Sequence, residues 1–128
     1  MVYWLRMGVL ILCLISSGLG IASESGAVLR VGFAERNISP KPGMEKPGSY
    51  EKRYHSDVLH DPCKVRAVVF DDGERRVALV GVDACFIFQP LVQSIRKEIE
   101  AGCGIPAEAV MMGASHTHSG GPTGMVQP

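Results

Sequence analysis

The alternation of apolar and polar residues along this chain predicts several strands, two of them joined as a hairpin. Residues 28–33 form the first strand candidate, which a proline-containing break at residues 37–40 ends. Residues 64–70 form a second β-rich run, and Asp71-Asp72-Gly73 is a hairpin turn signal. The return strand, residues 76–83, is apolar on both faces, as expected for a strand buried inside a sheet. Because the turn is so short, these two strands must be antiparallel.

One amphipathic helix is predicted over residues 90–101. Pro90 fits the first helical turn, and Gly102 or Gly104 can supply a left-handed cap. The apolar residues of the segment share one helical face: Leu91, Val92, Ile95 and Ile99. The next strand, residues 110–115, is reached through this helix, so a parallel crossover is expected. The predicted fold class is therefore α/β, with a mixed sheet, a hairpin and a crossover helix.

The segment between the first strand and the hairpin, residues 41–54, is rich in glycine and proline and is predicted to be a loop rather than a strand or helix. Long loops on compact proteins often carry function. Tyr50, Tyr54 and His55 lie in or next to this segment. Taken singly, each of them is better explained as part of an ordinary surface loop with aromatic anchors.

The first 22 residues have the composition of a secretory signal peptide. Arg6 supplies the positive charge, residues 7–15 are apolar, and residues 20–22 place small side chains at a cleavage site. The apolar run is too short to span a bilayer comfortably, which favours cleavage over a membrane anchor. We therefore predict export, to the periplasm or the cell exterior, and a mature part over residues 23–128.

Composition narrows the function only slightly. The 13 Lys and Arg residues balance 13 Asp and Glu residues, and no basic stripe indicates a nucleic-acid partner. Beyond the signal segment, Cys63, Cys85 and Cys103 are an odd number, so at most one bridge forms. Buried free thiols are an equally good interpretation. Cysteine metal ligation is disfavoured because no Cys-x-x-Cys pair exists.

The residues most indicative of chemistry lie where an apolar strand runs into His116-Thr-His118 and a glycine-rich turn. Alternate residues of a strand point to the same face, so His116 and His118 are expected to present two imidazoles side by side, which suits zinc. A His-x-His on a loop is, however, more often simple surface sequence. Asp83 closes a buried strand and could contact a metal ligand or substrate, or could cap the following segment.

Residues 115–120 resemble the Thr-His-Thr-His-Ser-Gly-Pro signature of the neutral/alkaline, non-lysosomal ceramidases. The resemblance extends from about residue 29 to residue 124, with supporting motifs in the same order. These are the opening Val31-Gly-Phe strand running into Ile38-Ser-Pro, His60-Asp-Pro, the Asp-Asp-Gly hairpin, the strand ending in Asp83, the helix, and Gly104-Ile-Pro. The chain departs from the family at residues 120–124, where Gly-Gly-Pro-Thr-Gly replaces a tighter Gly-Pro-Gly.

The resemblance implies a zinc-dependent amidase that hydrolyses ceramide to sphingosine and a fatty acid, with zinc activating the attacking water. By analogy, His116 is a zinc ligand. The residues that would contact this histidine or the substrate are His118, Asp83, Ser119 and Gly120. The implied partner is a ceramide-like lipid amide, with contact at a membrane surface as a further expectation. The sequence defines neither the catalytic base nor the oligomeric state.

In that family the other zinc ligands, a second histidine, a glutamate and a tyrosine, lie far downstream of the signature. Catalytic zinc takes three protein ligands and keeps one position open. We therefore expect residues 23–128 to be the N-terminal part of a larger ceramidase-like domain and to be inactive alone. The sheet is then expected to have an open edge after the last strand. The alternative is a non-catalytic exported α/β remnant or binding module. A two-metal hydrolase is a weaker alternative, since no Asp-His pair follows His118.

Overall fold

A computed structural model describes residues 28–49 and 52–124. The predicted signal peptide, residues 1–22, lies outside these residues. The elements in chain order are β1 (Arg30–Asn37), β2 (Glu45–Lys46), β3 (Tyr54–His55), β4 (Lys64–Asp71), β5 (Arg76–Val82), α1 (Gln89–Cys103), a 3-10 turn (Ala107–Ala109) and β6 (Val110–Ala114). No helix in the described part of the chain combines the length and the apolar character that crossing a membrane requires.

The main sheet has four strands in the order β1, β4, β5, β6. β4 pairs antiparallel with both β1 and β5, whereas β5 pairs parallel with β6. The parallel pair is joined through α1, which has a proline in its first turn. The helix ends at Cys103 and is capped by Gly104, whose φ of 66° is left-handed. The predicted α/β class, with a mixed sheet, a hairpin and a crossover helix, is confirmed.

The core lies on one face of this sheet. Its buried centre consists of Ala78, Val80, Ile105 and Val110, and Ile99 of α1 packs against it. Alternate residues of β5 and β6 supply this face, as the pleat of a strand requires. The loops that follow β5 and β6 therefore begin at strands that are packed on one face.

The opposite face of β5 corrects one prediction. This strand is apolar on both faces, but Val77 and Leu79 are each 44% exposed. In the described part of the chain, α1 and the 3-10 turn pack against the other face, so β5 is buried on one side only. The segment 41–54 also differs from prediction, because it contains the two-residue strand β2, which pairs with β3 at the end of the segment.

Candidate metal centre

The two parallel strands bring the histidine motif beside the segment that follows β5. Strands that run in the same direction end at the same edge of a sheet, and Ser115 N–H donates to the Val82 carbonyl at 3.0 Å. β6 ends at Ala114, so His116 and His118 lie in a loop beyond it. Their rings nevertheless meet edge to face, with centroids 5.1 Å apart. The predicted pair of imidazoles is present, but strand alternation is not its cause.

The backbone of His116 has an unusual conformation for a non-glycine residue. Its φ of 61° is left-handed, and no other described non-glycine residue has a positive φ. Such a conformation costs of order 1–3 kcal/mol in a non-glycine residue, although histidine is one of the types that adopt it more readily. The ring lies against the segment after β5, where Cys85 and Phe86 contact it.

One hydrogen bond indicates the tautomer of the neutral His116 ring. Nδ1 of His116 lies 2.8 Å from the carbonyl oxygen of Cys85. Because a carbonyl oxygen only accepts, Nδ1 carries the hydrogen and donates it, which leaves the lone pair of the neutral ring on Nε2. Metal-binding histidines are held by the same kind of hydrogen bond from the nitrogen that does not bind the metal. The Phe86 ring packs edge to face against the imidazole at 5.1 Å and limits its rotation further.

Cys85 completes a group whose ligand atoms all lie within 4.8 Å of one another, together with His116 and His118. Its Sγ is 4.0 Å from His116 Nδ1. However, Cys85 is 2% exposed, and burial raises the pKa of its thiol. Metals bind the thiolate, so a buried thiol with a raised pKa is a poor ligand. The histidines are therefore the stronger donors, and Cys85 contributes chiefly through its backbone carbonyl.

The proximity of Cys85 to His116 was not predicted, although the predicted parallel crossover contains the signal for it. Cysteine ligation was disfavoured because no Cys-x-x-Cys pair exists, and this stays a prediction, since Cys85 lies in one group with the two histidines. Cys63 is also buried, and burial followed by the charge of Asp83 raises the pKa of its thiol. Among the described residues, Cys63, Cys85 and Cys103 are all unbridged.

Asp83 is fastened to β4 beneath the histidine loop. Its Oδ2 accepts a hydrogen bond from Lys64 N–H at 2.9 Å and another from Arg66 Nη1 at 3.1 Å. The Lys64 N–H holds the pKa of this carboxyl below its ordinary value, with Arg66 and Ser115 adding to the effect. The carboxylate therefore ties the end of β5 to the start of β4. Its predicted contact with substrate or a metal ligand stays a prediction.

Replacing Asp83 by asparagine is expected to lower the free energy of unfolding at pH 7 by about 1–2 kcal/mol, because hydrogen bonds to a charged acceptor are lost. The folded-state pKa lies below the unfolded one, so this stabilisation is complete above about pH 4 and disappears as the pH falls through the folded-state value. Urea denaturation at several pH values measures it. The difference between wild type and variant should shrink in acid, and a difference that stays constant down to pH ~2.5 would contradict the assignment.

The remaining predicted site residues lie just beyond the two histidines. Ser119 donates its N–H to Thr117 Oγ1 at 3.2 Å, and its carbonyl lies 3.8 Å from the thiol of Cys63. Gly120 is buried against the segment after β5, where a Cβ on it would lie 2.8 Å from the Asp83 carbonyl oxygen. Both residues thus hold the loop in place, and their roles toward a substrate stay predictions.

A cleft of about 410 Å³ opens beside the histidine loop. Thr117 and Ser119 of this loop line it, together with Ser56, which is 9% exposed. The other polar and charged residues around the cleft are Lys46, His60, Asp61 and Asp83. Polar and charged residues thus make up more than half of the lining, and neither His116 nor His118 is among the lining residues.

No protein-family model and no curated protein matches the chain. Solved structures do match it, among them two ceramidases. The crystal structure of neutral ceramidase from Pseudomonas aeruginosa is 29% identical with a TM-score of 0.59, over 73% of this chain and 16% of that one. A structure described as ceramidase complexed with C2 is 26% identical with a TM-score of 0.61, over 73% of this chain and 15% of that one. The fold and these two matches support a ceramidase-like family for this chain.

Proposed function

We propose that this chain carries part of the metal centre of a zinc-dependent amide hydrolase that acts on ceramide-like lipids. The observation that carries the proposal is the hydrogen bond from His116 Nδ1–H to the Cys85 carbonyl, which leaves Nε2 as a metal donor. The similarity to neutral ceramidase supplies the reaction class. Because the chain spans 16% and 15% of the two ceramidase chains, we propose the activity for a complete catalytic domain.

The donor set fits zinc. Zinc binds imidazole nitrogen readily and imposes little geometric preference of its own, and catalytic sites keep one position open. His116 would supply one ligand through Nε2, and His118 lies directly beside it, with the ring centroids 5.1 Å apart. When bound, zinc supplies a polarising charge for the amide carbonyl and lowers the pKa of a water molecule toward neutrality.

The residues of this chain have separate tasks in the proposed reaction. The Cys85 carbonyl keeps the His116 proton on Nδ1, and Phe86 restrains the ring. To His118, which lies beside His116 in the same loop, we assign a hydrogen bond to a polar group of the substrate. The cleft next to Thr117 and Ser119 is large enough and polar enough to receive the head of a lipid amide.

Export and contact with a membrane surface belong to the same proposal. Export is supported by the composition of residues 1–22, which is that of a signal peptide. Contact with a membrane surface is supported by the nature of the substrate, because a lipid amide is held in a bilayer by its apolar chains. A non-catalytic exported module is the alternative that the experiment below separates.

The test is a hydrolysis assay on the purified full-length protein, with a short-chain fluorescent ceramide and the corresponding fatty acid ester. We expect release of the fatty acid from the amide, loss of this activity on chelation, and its return with zinc. Lys97→Ala, on the exposed side of α1, is the control variant, and it should retain the activity of the wild type. A protein that retains zinc but cleaves neither compound would support the binding module instead.

A further inference from the structure

The imidazole of His118 is packed directly against the backbone of Gly48. A Cβ on Gly48 would lie 2.7, 2.8 and 2.9 Å from Nδ1, Cγ and Cε1 of that ring. Real Cβ atoms essentially never approach other atoms within 3.0 Å. Gly48 also has a φ of 111°, in the region that favours glycine. A side chain at position 48 would therefore strain the backbone and would also force the His118 ring to shift.

The part of the loop that precedes Gly48 is anchored by hydrogen bonds at several points. Gly43 N–H donates to the Ser56 carbonyl, and Ser56 N–H donates to the Met44 carbonyl, both at 2.8 Å. Ser39 Oγ accepts from Cys63 N–H at 3.0 Å at the start of this loop. These bonds fasten the loop to the segments that precede β4.

The ring of His118 thus has two close neighbours. Gly48 lies against it, and the His116 ring meets it edge to face. His116 is itself held by the Cys85 carbonyl. A ring displaced by a side chain at position 48 would have to move toward His116 or leave its present rotamer.

We propose that Gly48 is a positioning residue, whose lack of a side chain sets the location of the His118 imidazole beside His116. It acts through His118 and touches no reacting atom. The consequence for catalysis depends on the proposed amide hydrolase function. The packing relation itself does not, so it can be tested on the metal-free chain.

The test compares Gly48→Ala with Gly43→Ala in the full chain. Both glycines lie in the same loop at positive φ, 111° and 86°, but a Cβ at position 43 meets no described atom within 4 Å. The control therefore reproduces the backbone strain without the collision. The readout is the position of the His118 imidazole signals in ¹H–¹³C spectra of the metal-free protein at one pH. We expect them to shift in Gly48→Ala and to stay in place in Gly43→Ala.

A second arm keeps the test decisive if Gly48→Ala does not fold. In Gly48→Ala/His118→Ala the collision partner is gone, so thermal stability should return to that of Gly43→Ala. The zinc affinity of Gly48→Ala should be about tenfold or more below that of the wild type, as expected when a group supporting a ligand is displaced. In the His118→Ala background, adding Gly48→Ala should not change the zinc affinity further.

Three results would overturn the proposal: unchanged His118 signals in Gly48→Ala, equal shifts in both single variants, or a double variant as unstable as Gly48→Ala. Failure of the proposed enzyme function gives a different pattern. In that case the His118 signals shift as expected in the metal-free protein, whereas neither zinc binding nor hydrolysis is found.

Discussion

Replacing His116 by alanine is expected to weaken zinc binding by at least about 100-fold, because even residues that only support a ligand are worth 10–100-fold. His116 is the one histidine of the described chain whose Nδ1 donates to a backbone carbonyl, which presents Nε2 as a donor. Competition with a chromophoric chelator measures the affinity. His60→Ala is the matched control, since His60 is an exposed histidine that lines the neighbouring cleft.

The same titration distinguishes the two possible donor sets. If Cys85 bound zinc through sulfur, Cys85→Ala would weaken binding as much as His116→Ala does. We expect instead a change below about tenfold, because alanine retains the backbone carbonyl that orients His116 and the buried thiol is a poor ligand. Equal affinity of wild type and His116→Ala would show that zinc, if bound, is held elsewhere.

Replacing Gly120 by alanine is expected to destabilise the fold by about 1–3 kcal/mol, the usual cost of forcing extra volume into a packed site. The added Cβ would lie 2.8 Å from the Asp83 carbonyl oxygen and 3.3 Å from Ala84 Cα. Both are backbone atoms at the end of β5, so relief requires the chain itself to move. Urea denaturation followed by circular dichroism measures the loss.

Gly113→Ala is the control for this substitution. Gly113 lies in β6, where a Cβ would have no described atom within 4 Å, and we expect a change within about 0.5 kcal/mol there. Zinc affinity should fall in Gly120→Ala as well, because the histidine loop must shift to accommodate the methyl group. If Gly120→Ala proved as stable as Gly113→Ala, the close packing of the loop against β5 would be wrong.

The sequence predicts the frame of the site better than its details. The helix between two apolar strands correctly predicts that β5 and β6 are parallel. Parallel strands end at the same edge of a sheet, so the proximity of Cys85 to His116 is a consequence of this parallel pairing. The left-handed φ of His116 has no counterpart in the sequence pattern, because histidine is compatible with several backbone conformations and tertiary packing decides among them.

Hydrophobic periodicity also has a limit in this chain. The pattern of β5 shows that both of its faces can be buried, but not what covers them, and Val77 and Leu79 remain partly exposed among the described residues. Gly48 and His118 lie against each other although they are far apart in sequence, and Gly48 belongs to a loop without hydrophobic periodicity. A glycine in a loop gives no indication of whether a turn or a neighbouring side chain requires it.

The most direct test of the central claim is the assignment of the His116 ring nitrogens in long-range ¹H–¹⁵N spectra, with and without zinc. The structure predicts that Nδ1 is protonated and Nε2 carries the lone pair in the metal-free chain. On addition of zinc, the Nε2 signal should shift while Nδ1 keeps its hydrogen. A Nε2-protonated ring in the metal-free chain, or zinc-induced loss of the Nδ1 hydrogen, would contradict the proposed metal centre.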